Sequence, residues 1–590
     1  MFHKNWFTLL SLILVTTMLL SACQAPPQAP PPAPTQAPPA APATEAPKPT
    51  EAPKATEAPK ATEAPKATEA PTVAAPIVKP TEPPKAESAD TMVYGLSTTF
   101  DKLDPNATTF TVVTRMTMNI VETLVWEPEL GKFEPNLADS WKVNADATEY
   151  TFKLHEGIKF SDGTPFNAEA VKFTFDHIVD PETKSQSALS QIGPYKESVV
   201  LSEYEVLVRF NSPYAPFLDS VSTPTLGIIS PTAFKKVGNA DWGIKALVGT
   251  GPYLLDSYVP DSEVVLVRND NYWGGVRKEH TGPAQIKKLD FKIIAEDASR
   301  VASLETGETQ FIETVPEIEF NRIKGDPQFT AVELVQPGSG HSLMMNQKNP
   351  PMDQLAVRRA IQLGSDSKGM VDTVWNGIGS PACGPLTPPV FGYDKSMCDL
   401  YPYNVDEAKK VLEDAGWKLG SDGVRVKDGK RLEIGHYYRA DDPVSGAMAE
   451  FFKADMAKIG IQVDLNGLAR SGYFDAVRSG KHHTQFWWET GTDPDVMRVL
   501  FYSTNAGGGT NRNNYVNPEM DKMLDEAAGT TDSAKRAELY SEIQKKVKDE
   551  AIMVFFNDPM SLYASSNKLT GVIYYLGGNY PYFYAANLAK

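Results

Sequence analysis

Apolar and polar residues alternate in several short segments of the chain, and this spacing predicts β-strands. The alternation runs through Tyr150–Leu154, is interrupted at Gly157 and continues at Ile158 and Phe160, after which Ser161-Asp162-Gly163 predicts a turn. Successive side chains of a strand point to opposite faces, so each segment would bury one face and expose the other. The same spacing recurs in three later segments, at Val206, Val208 and Phe210, at Val265 and Val267, and at Leu289, Phe291 and Ile293.

Helical spacing appears between these segments. Asn167 is placed to cap a helix with one apolar face, which Asp180-Pro181 would end. Asn404 would cap another, closed by Gly416. Two further helices are each followed by an apolar strand, Ala447–Ile459 by Ile461–Leu465 and Ser533–Val547 by Ile552–Phe556. Mixed strands and helices with long loops predict an α/β architecture of more than one lobe.

The first residues have the layout of an export signal. His3 and Lys4 precede an apolar run, Leu9–Leu20, which is too short for a membrane span of about 20 residues. The following Leu20-Ser21-Ala22-Cys23 resembles the bacterial lipobox, in which the cysteine is lipidated. We therefore predict a lipoprotein signal peptide at residues 1–22 and lipidation at Cys23. An ordinary signal peptide is the alternative.

Residues 23–90 are dominated by Pro, Ala, Thr, Glu and Lys, and part of this segment repeats Thr-Glu-Ala-Pro-Lys-Ala. Such a composition cannot bury a core, so we predict a disordered linker with polyproline II character. An exported chain with a lipidated Cys23 and this spacer would be anchored to the outer face of the cytoplasmic membrane, at the cell surface or in the periplasm.

The net charge bears on the class of partner, and the two remaining cysteines bear on a disulfide. A formal net charge of −17 argues against nucleic acid, which requires a basic surface. Cys383 and Cys398 would lie in an oxidising compartment, where we expect them to form a disulfide; two free thiols are the alternative.

Catalytic and metal-binding motifs are not evident in the sequence. Gly507-Gly508-Gly509 lacks the Gly-Lys-Ser/Thr end of a phosphate loop. His482 and His483 are adjacent, and in a strand they would point to opposite faces, so a solvated loop is the simpler interpretation. We expect no enzyme activity, no cofactor and no metal site. An extracellular enzyme such as a glycoside hydrolase stays as an alternative, because an acidic chain offers many carboxylate pairs.

Aromatic residues are concentrated around Trp487 and Trp488, which precede Glu489, Thr490 and Asp493. Aromatic walls that carry a few polar groups are typical of ligand clefts. Burial in the core is the alternative interpretation of these rings.

Several segments, in order along the chain, form a recognisable set. The most specific part is residues 135–175, with Pro135-Asn136-Leu137-Ala138-Asp139-Ser140-Trp141 and Gly157-Ile158-Lys159-Phe160-Ser161-Asp162-Gly163. Weaker segments are Leu103-Asp104-Pro105, Gly249-Thr250-Gly251-Pro252-Tyr253, Arg268-Asn269, Val357-Arg358-Arg359-Ala360-Ile361 and Asn517-Pro518-Glu519-Met520-Asp521. In this order, the segments resemble those of the family-5 extracellular solute-binding proteins, the oligopeptide- and dipeptide-binding group of ABC importers.

The resemblance implies a fold and a partner. The fold would be α/β, a two-lobe periplasmic-binding-protein-like fold of type II, of the large cluster with an extra subdomain in lobe I and a ligand cleft at the hinge. The partners would be a small solute and ABC permease subunits in the membrane, and we expect a monomer. The implied division is lobe I at 91–345 with the extra subdomain at about 136–250, lobe II at 346–555, and a return to lobe I at 556–590.

The resemblance also implies ligand-binding residues and one departure from the family. Peptide-binding members place an acid where this chain has Thr490, and a neutral hydroxyl cannot pair with a peptide ammonium. Either Glu489 substitutes, or the ligand lacks a free α-amine. A peptide is the first expectation, an oligosaccharide the second, and a sensor that presents ligand to a receptor is a further alternative. The ligand-binding candidates are Trp487, Trp488, Glu489, Thr490, Asp493 and Asn511.

Overall fold

The structure is a computed structural model that describes residues 89–108, 110–275 and 280–590. The signal peptide, Cys23 and the linker predicted from the sequence lie outside the described residues, apart from the last two positions of the linker.

Strands are numbered in chain order. They are β1 (Thr91–Leu96), β2 (Val125–Glu129), β3 (Lys132–Pro135), β4 (Ala138–Val143), β5 (Glu149–Leu154), β6 (Tyr195–Ser202), β7 (Glu205–Phe210), β8 (Tyr253–Val259), β9 (Glu263–Arg268), β10 (Lys288–Ile293), β11 (Phe311–Glu313), β12 (Phe329–Val335), β13 (Gly338–Met345), β14 (Ser380–Pro381), β15 (Lys418–Leu419), β16 (Arg425–Lys427), β17 (Lys430–Arg431), β18 (Glu433–Arg439), β19 (Gln462–Leu468), β20 (Thr484–Thr490), β21 (Met553–Asp558), β22 (Met560–Ser566), β23 (Leu569–Thr570), β24 (Ile573–Tyr575), β25 (Tyr580–Tyr582) and β26 (Asn587–Leu588).

The α-helices are identified by their bounds. They are Thr111–Thr117, Ala168–Val179, Ser187–Ile192, Phe217–Ser220, Pro231–Val237, Asp297–Glu305, Glu317–Lys324, Leu355–Gly364, Ser367–Val374, Val405–Asp414, Pro443–Lys458, Arg470–Arg478, Val496–Phe501, Pro518–Gly529 and Ser533–Asp549. Short 3-10 turns lie at Pro181–Thr183, Pro224–Leu226, Lys395–Asp399 and Ser503–Asn505.

Two large mixed sheets organise the described chain. The first has seven strands in the order β12-β22-β11-β1-β10-β9-β8, with β1 parallel to both of its neighbours. The second has six strands in the order β14-β21-β13-β20-β18-β19, with β18 parallel to β19 and β20. Each sheet is covered by apolar residues of its own, so the two sheets belong to separate cores.

A third, smaller sheet carries its own core. It is antiparallel with the order β4-β5-β7-β6, and the helix Ala168–Val179 packs on it. Its core contains Tyr150, Phe152, Phe175 and Phe217. This unit occupies the part of the chain where the sequence predicted an extra subdomain.

The chain passes between the two large sheets twice. The first passage is Gln336-Pro337, between β12 and β13, and the second is Pro559, between β21 and β22. The two passages are side by side, because the Gln336 N–H donates to the Pro559 carbonyl at 2.8 Å and Gln336 Nε2 donates to the Met560 carbonyl at 3.2 Å.

The capped helices predicted from the sequence are confirmed. The Asn167 side chain accepts from the Ala170 N–H at 3.2 Å, and the helix ends at Val179. The Asn404 side chain accepts from the Glu407 N–H at 3.0 Å. One helix begins earlier than predicted, at Pro443, because the Asp442 carboxylate caps it.

One predicted strand extension is wrong. β5 ends at Leu154, a turn follows at Glu156 and Gly157, and Lys159 then makes only an isolated β-bridge with Pro165. Gly157 has φ +83, which interrupts the ladder, and the Phe160 N–H donates to the Thr164 carbonyl at 2.9 Å to close a tight loop. Cys383 and Cys398 are joined by a disulfide, as expected from the sequence.

Candidate functional site

A cavity of about 500 Å³ lies where the two large sheets meet. The six-stranded sheet and its helices supply most of its wall, and the seven-stranded side closes it with Glu317 and Leu562. The chain passages at Gln336 and Pro559 line it as well. A cavity between two lobes, beside the segments that join them, can enclose a small solute.

Strand β20 forms one wall of this cavity. Because side chains alternate along a strand, Trp487 and Glu489 share one face, while Trp488 and Thr490 share the other. All four line the cavity, and Trp488 is 40% exposed. The indole N–H of Trp487 donates to Glu489 Oε2 at 3.1 Å, which fixes the ring against the carboxylate. Four of the six ligand-binding residues predicted from the sequence therefore meet here.

An arginine that the sequence analysis did not single out supports this wall. The Arg512 guanidinium carbon lies 3.6 Å from the centroid of the Trp487 ring, a close cation–π contact. Its Nε and Nη1 atoms are buried and have no hydrogen-bond partner within the described residues. Burial lowers the pKa of Arg512 from its usual value, but a guanidinium stays charged at neutral pH. Arg512 does not itself line the cavity, so it places a buried positive charge behind the Trp487 ring.

The surroundings of Glu489 shift the pKa of its carboxyl group. Burial raises the pKa of Glu489 above its ordinary value, while hydrogen bonds from the Trp487 indole and the Thr490 backbone N–H act in the opposite direction. A half-buried carboxylate with one oxygen free of the indole can accept a hydrogen bond from a ligand cation.

His341 is a second residue that the sequence analysis missed. Its ring centroid lies 5.2 Å from that of Trp375 and 5.1 Å from that of Trp488, so it sits between two indoles. Its Nδ1 lies 2.7 Å from Asn557 Oδ1, and since an amide oxygen only accepts, Nδ1 carries the proton. Burial lowers the pKa of His341, so the ring is neutral at pH 7.

Charges of both signs surround the aromatic wall. Arg439 and Arg470 line the cavity on one side, and Glu317 and Asp442 line it elsewhere. Arg439 is partly neutralised by Asp441 at 3.3 Å and by Asp442 at 3.8 Å. The cavity therefore offers partners for a solute that carries both a positive and a negative group.

Two predicted ligand-binding residues do not line the cavity. Asp493 accepts two hydrogen bonds of 2.7 Å from Arg536, a bidentate pair that turns its carboxylate toward the helix Ser533–Asp549. Asn511 is fully buried, and its amide donates to the carbonyls of Tyr502 and Tyr515 at 3.2 and 2.7 Å. Both side chains hold loops of their own lobe.

The neighbouring histidines also differ from their expected position. His482 is fully buried, and its Nε2 lies 2.9 Å from the Arg512 carbonyl, while His483 Nδ1 accepts from the Gly435 N–H at 2.9 Å. Neither lies in a solvated loop. In the described parts of the chain, no three or more His, Cys, Asp or Glu side chains are arranged to hold a metal ion. Every helix within those parts is too short or too polar to cross a membrane.

Comparison with known proteins adds a second line of evidence. Residues 132–511 match the bacterial extracellular solute-binding proteins, family 5 middle. The nickel-binding periplasmic protein of Escherichia coli K12 is 31% identical over 73% of this chain and 83% of its own length. The probable D,D-dipeptide-binding periplasmic protein DdpA of the same organism is 30% identical over 75% of this chain and 82% of its length.

Solved structures agree with the fold. NikA from Brucella suis, in complex with Fe(III)-EDTA, superimposes with a TM-score of 0.74 at 25% identity, covering 84% of this chain and 99% of NikA. DppA from Helicobacter pylori, in complex with the peptide STSA, gives a TM-score of 0.68 at 22% identity and covers 85% of this chain. The α/β, two-lobe type II fold expected from the sequence is confirmed. The chain belongs to family 5 of the bacterial extracellular solute-binding proteins.

Proposed function

We propose that this protein captures a small peptide between its two lobes and delivers it to the permease of an ABC importer. The observation that carries the proposal is the wall of the cavity, where Trp487, Glu489 and Arg512 place an aromatic face, a carboxylate and a guanidinium within one contact network. A short peptide presents complementary groups, because its side chains can pack on the aromatic face, its ammonium can pair with a carboxylate and its carboxylate with an arginine.

The size of the cavity supports a short peptide. A volume of about 500 Å³ lies in the usual range of small-ligand sites, and it accommodates a solute of two or three residues rather than a long chain. A di/tripeptide-binding protein of Pseudomonas aeruginosa is 27% identical to this protein over 71% of this chain. Ligands of this size therefore occur among the relatives of this chain.

Glu489 is our candidate for the partner of the peptide ammonium. Both Thr490 and Glu489 line the cavity, and they are neighbours on the same strand. Thr490 is neutral, whereas Glu489 carries a carboxyl group. A charge-assisted bond from an ammonium to this carboxylate would replace the acid that peptide-binding relatives carry one position later. The peptide carboxylate would then lie toward Arg439 or Arg470, the two arginines that line the cavity.

We further propose that lobe I consists of the seven-stranded sheet with its subdomain, and lobe II of the six-stranded sheet. The boundaries would then lie at Gln336-Pro337 and at Pro559, rather than at residues 345 and 555. β13 lies on the lobe II side of such a boundary because it pairs with both β20 and β21. Lipidation at Cys23 and the linker would hold both lobes at the membrane.

An oligosaccharide is the second candidate ligand. The specific observation in its favour is the pair of adjacent indoles, Trp487 and Trp488, of which Trp488 is 40% exposed and available for stacking on a sugar face.

The test is to identify the solute. Native mass spectrometry of the full chain should show a co-purified peptide of two or three residues. Calorimetry on protein refolded without solute should then show binding of alanyl-alanine or trialanine and no binding of cellobiose. Binding of cellobiose without peptide binding would contradict the peptide assignment and favour the second candidate.

A further inference from the structure

The loop that follows the cavity wall reaches the subdomain on the opposite side. Thr492 Oγ1, two residues after β20, donates to Asp219 Oδ1 at 2.5 Å. Nearby, the Ala215 N–H donates to the Ala528 carbonyl at 2.7 Å. Thr492 and Ala528 belong to the six-stranded half, and Asp219 and Ala215 belong to the subdomain. These bonds therefore join the two sides of the cleft.

A second carboxyl group stands behind this contact. Glu127, in β2, lies within hydrogen-bonding reach of Asp219. Glu127 Oε1 accepts from the Gly131 N–H at 2.7 Å, but Glu127 Oε2 is buried and has no donor within the described residues. Two ionised carboxylates only accept, so they cannot bond to each other. One proton shared between Glu127 and Asp219 satisfies the orphaned oxygen.

Within the described residues, the groups around the pair are engaged elsewhere. The positive charge of Arg536 acts on Asp219, but both arms of that guanidinium are already engaged by Asp493. The Tyr575 hydroxyl faces both carboxyls but bonds to Ser222 Oγ at 2.8 Å. Asp493 and Tyr214 also interact electrostatically with the pair, and Asp495 and Tyr150 lie behind them, against Asp493.

Burial favours binding of a proton by this pair of carboxyls at physiological pH. It raises the pKa of Glu127 to about 7, with a smaller contribution from the charge of Asp493. Burial also raises the pKa of Asp219, and the charges of Glu127 and Asp493 add to this effect. If the lobes separated, Asp219 would lose the bond from Thr492 and gain water, and the burial of both carboxyls would decrease.

We propose that Glu127 and Asp219 take up a proton when the lobes close, and that with Thr492 they form a latch that holds the closed form at acidic pH and loosens at alkaline pH. This inference rests on the proposed function, because it requires lobes that open and close around a solute. Through the latch, the pH outside the cell would set how firmly the solute is held.

The sign of the pH effect follows from proton linkage. Below about pH 4, both carboxyls are protonated in the open and the closed forms, and the pair does not oppose closure. Between that pH and the closed-form pKa of Glu127, about 7, closure must take up a proton. Over that interval the equilibrium constant for closing falls by up to about tenfold per pH unit. Above it, this dependence levels off.

The test measures closure in the full chain without any solute. Fluorophores at the exposed residues Lys153 and Lys430 report the distance between the subdomain and the other lobe by energy transfer. Between about pH 5 and about pH 8, the ratio of closed to open molecules should fall at least about tenfold in the native protein.

Glu127→Gln should abolish this pH dependence, because the amide can donate to Asp219 without an added proton. The ratio at about pH 8 should then stay within about twofold of its value at about pH 5. Asp219→Asn should behave in the same way, and it decides the question if Glu127→Gln fails to fold. Glu134→Gln, an exposed carboxyl in the same hairpin, should keep the native dependence.

A native ratio that is equal at both pH values would overturn the latch, as would a tenfold fall that persists in Glu127→Gln and Asp219→Asn. Failure of the proposed function is separable, because it appears as the absence of a bound peptide in mass spectrometry, whereas closure here is measured without solute.

Discussion

At the residue scale, the cavity wall is prepared for a ligand before one arrives. Trp487 is held at its edge by Glu489, at 3.1 Å, and on its face by Arg512, at 3.6 Å. A side chain that is already fixed loses little conformational freedom on binding, so more of each contact appears as affinity.

Trp487→Ala should weaken binding of alanyl-alanine by about tenfold or more, because an aromatic contact contributes about 1 kcal/mol beyond the area it buries. Isothermal titration calorimetry measures the affinity, and circular dichroism checks the fold. Trp141→Ala removes a half-buried indole of β4, which does not line the cavity, and should leave the affinity unchanged. Unaltered affinity in the Trp487 variant would remove this residue from the site.

Glu489→Gln should weaken binding of alanyl-alanine and leave N-acetyl-alanyl-alanine unaffected, because only the first carries an ammonium. In the native protein this preference should also depend on pH. The carboxylate attracts an ammonium only when ionised, and burial raises the pKa of Glu489. The preference is therefore present above that pKa and is lost as the pH falls through it.

The measurement is the ratio of the two dissociation constants between about pH 4 and about pH 8. The latch acts on both peptides equally, so it cancels in the ratio. An equal loss of affinity for both peptides in Glu489→Gln would show that Glu489 supports the fold of the wall and does not meet the ammonium.

At the element scale, the loop after β20 is fastened to the helix Ser533–Asp549. The Asp493–Arg536 pair is well buried, with 13% and 8% of the side chains exposed, and both of its bonds are 2.7 Å. Buried pairs of this kind stabilise little as a whole, but breaking one leaves an uncompensated charge.

Arg536→Met should therefore lower the free energy of unfolding by about 3–5 kcal/mol, measured by urea denaturation. The matched control is Lys368→Met, which removes an exposed partner of Asp372 in an i,i+4 pair. We expect that change to cost less than about 1 kcal/mol. A similar small loss in both variants would contradict the structural role given to Asp493.

The elements were predictable to the extent that their signals are local. Asn167 and Asn404 cap the predicted helices because a cap depends on residues only three positions away. Trp487 to Thr490 line the cavity together because they follow one another on a single strand. His341 and Arg512 were missed because β13 and a distant loop bring them to that strand, and nothing in their own neighbourhood marks them.

Two residues that were expected to bind ligand, Asp493 beside the wall and Asn511 from the family resemblance, do not line the cavity. Asp493 follows the wall so closely that it was expected in the cavity, yet the chain turns after Thr490 and Arg536 captures the carboxylate. Asn511 precedes Arg512 by one position, but its amide faces the loop carbonyls while Arg512 faces Trp487. Adjacent side chains point in different directions, and only the fold decides which one reaches a ligand.

At the scale of the whole molecule, the predicted anchor can be separated from the fold. Cys23→Ser should move the protein from the membrane fraction to the medium or the periplasm, because the thiol is the predicted site of lipid attachment. Immunoblotting of separated fractions measures this. The double variant Cys383→Ser, Cys398→Ser removes the disulfide and should stay in the membrane fraction. Retention of Cys23→Ser at the membrane would contradict lipidation.

The two chain passages between the large sheets carry a mechanical consequence. Each contains a proline, Pro337 or Pro559, and the Gln336 hydrogen bonds keep them next to each other. Two adjacent connections would permit the half with the seven-stranded sheet to rotate against the half with the six-stranded sheet about one axis. They would resist rotation about other axes. The solute and the proton would therefore act on a single coordinate. Because such coupling is reciprocal, protonation of the pair would increase the affinity for the solute, and solute binding would increase proton uptake by the same factor.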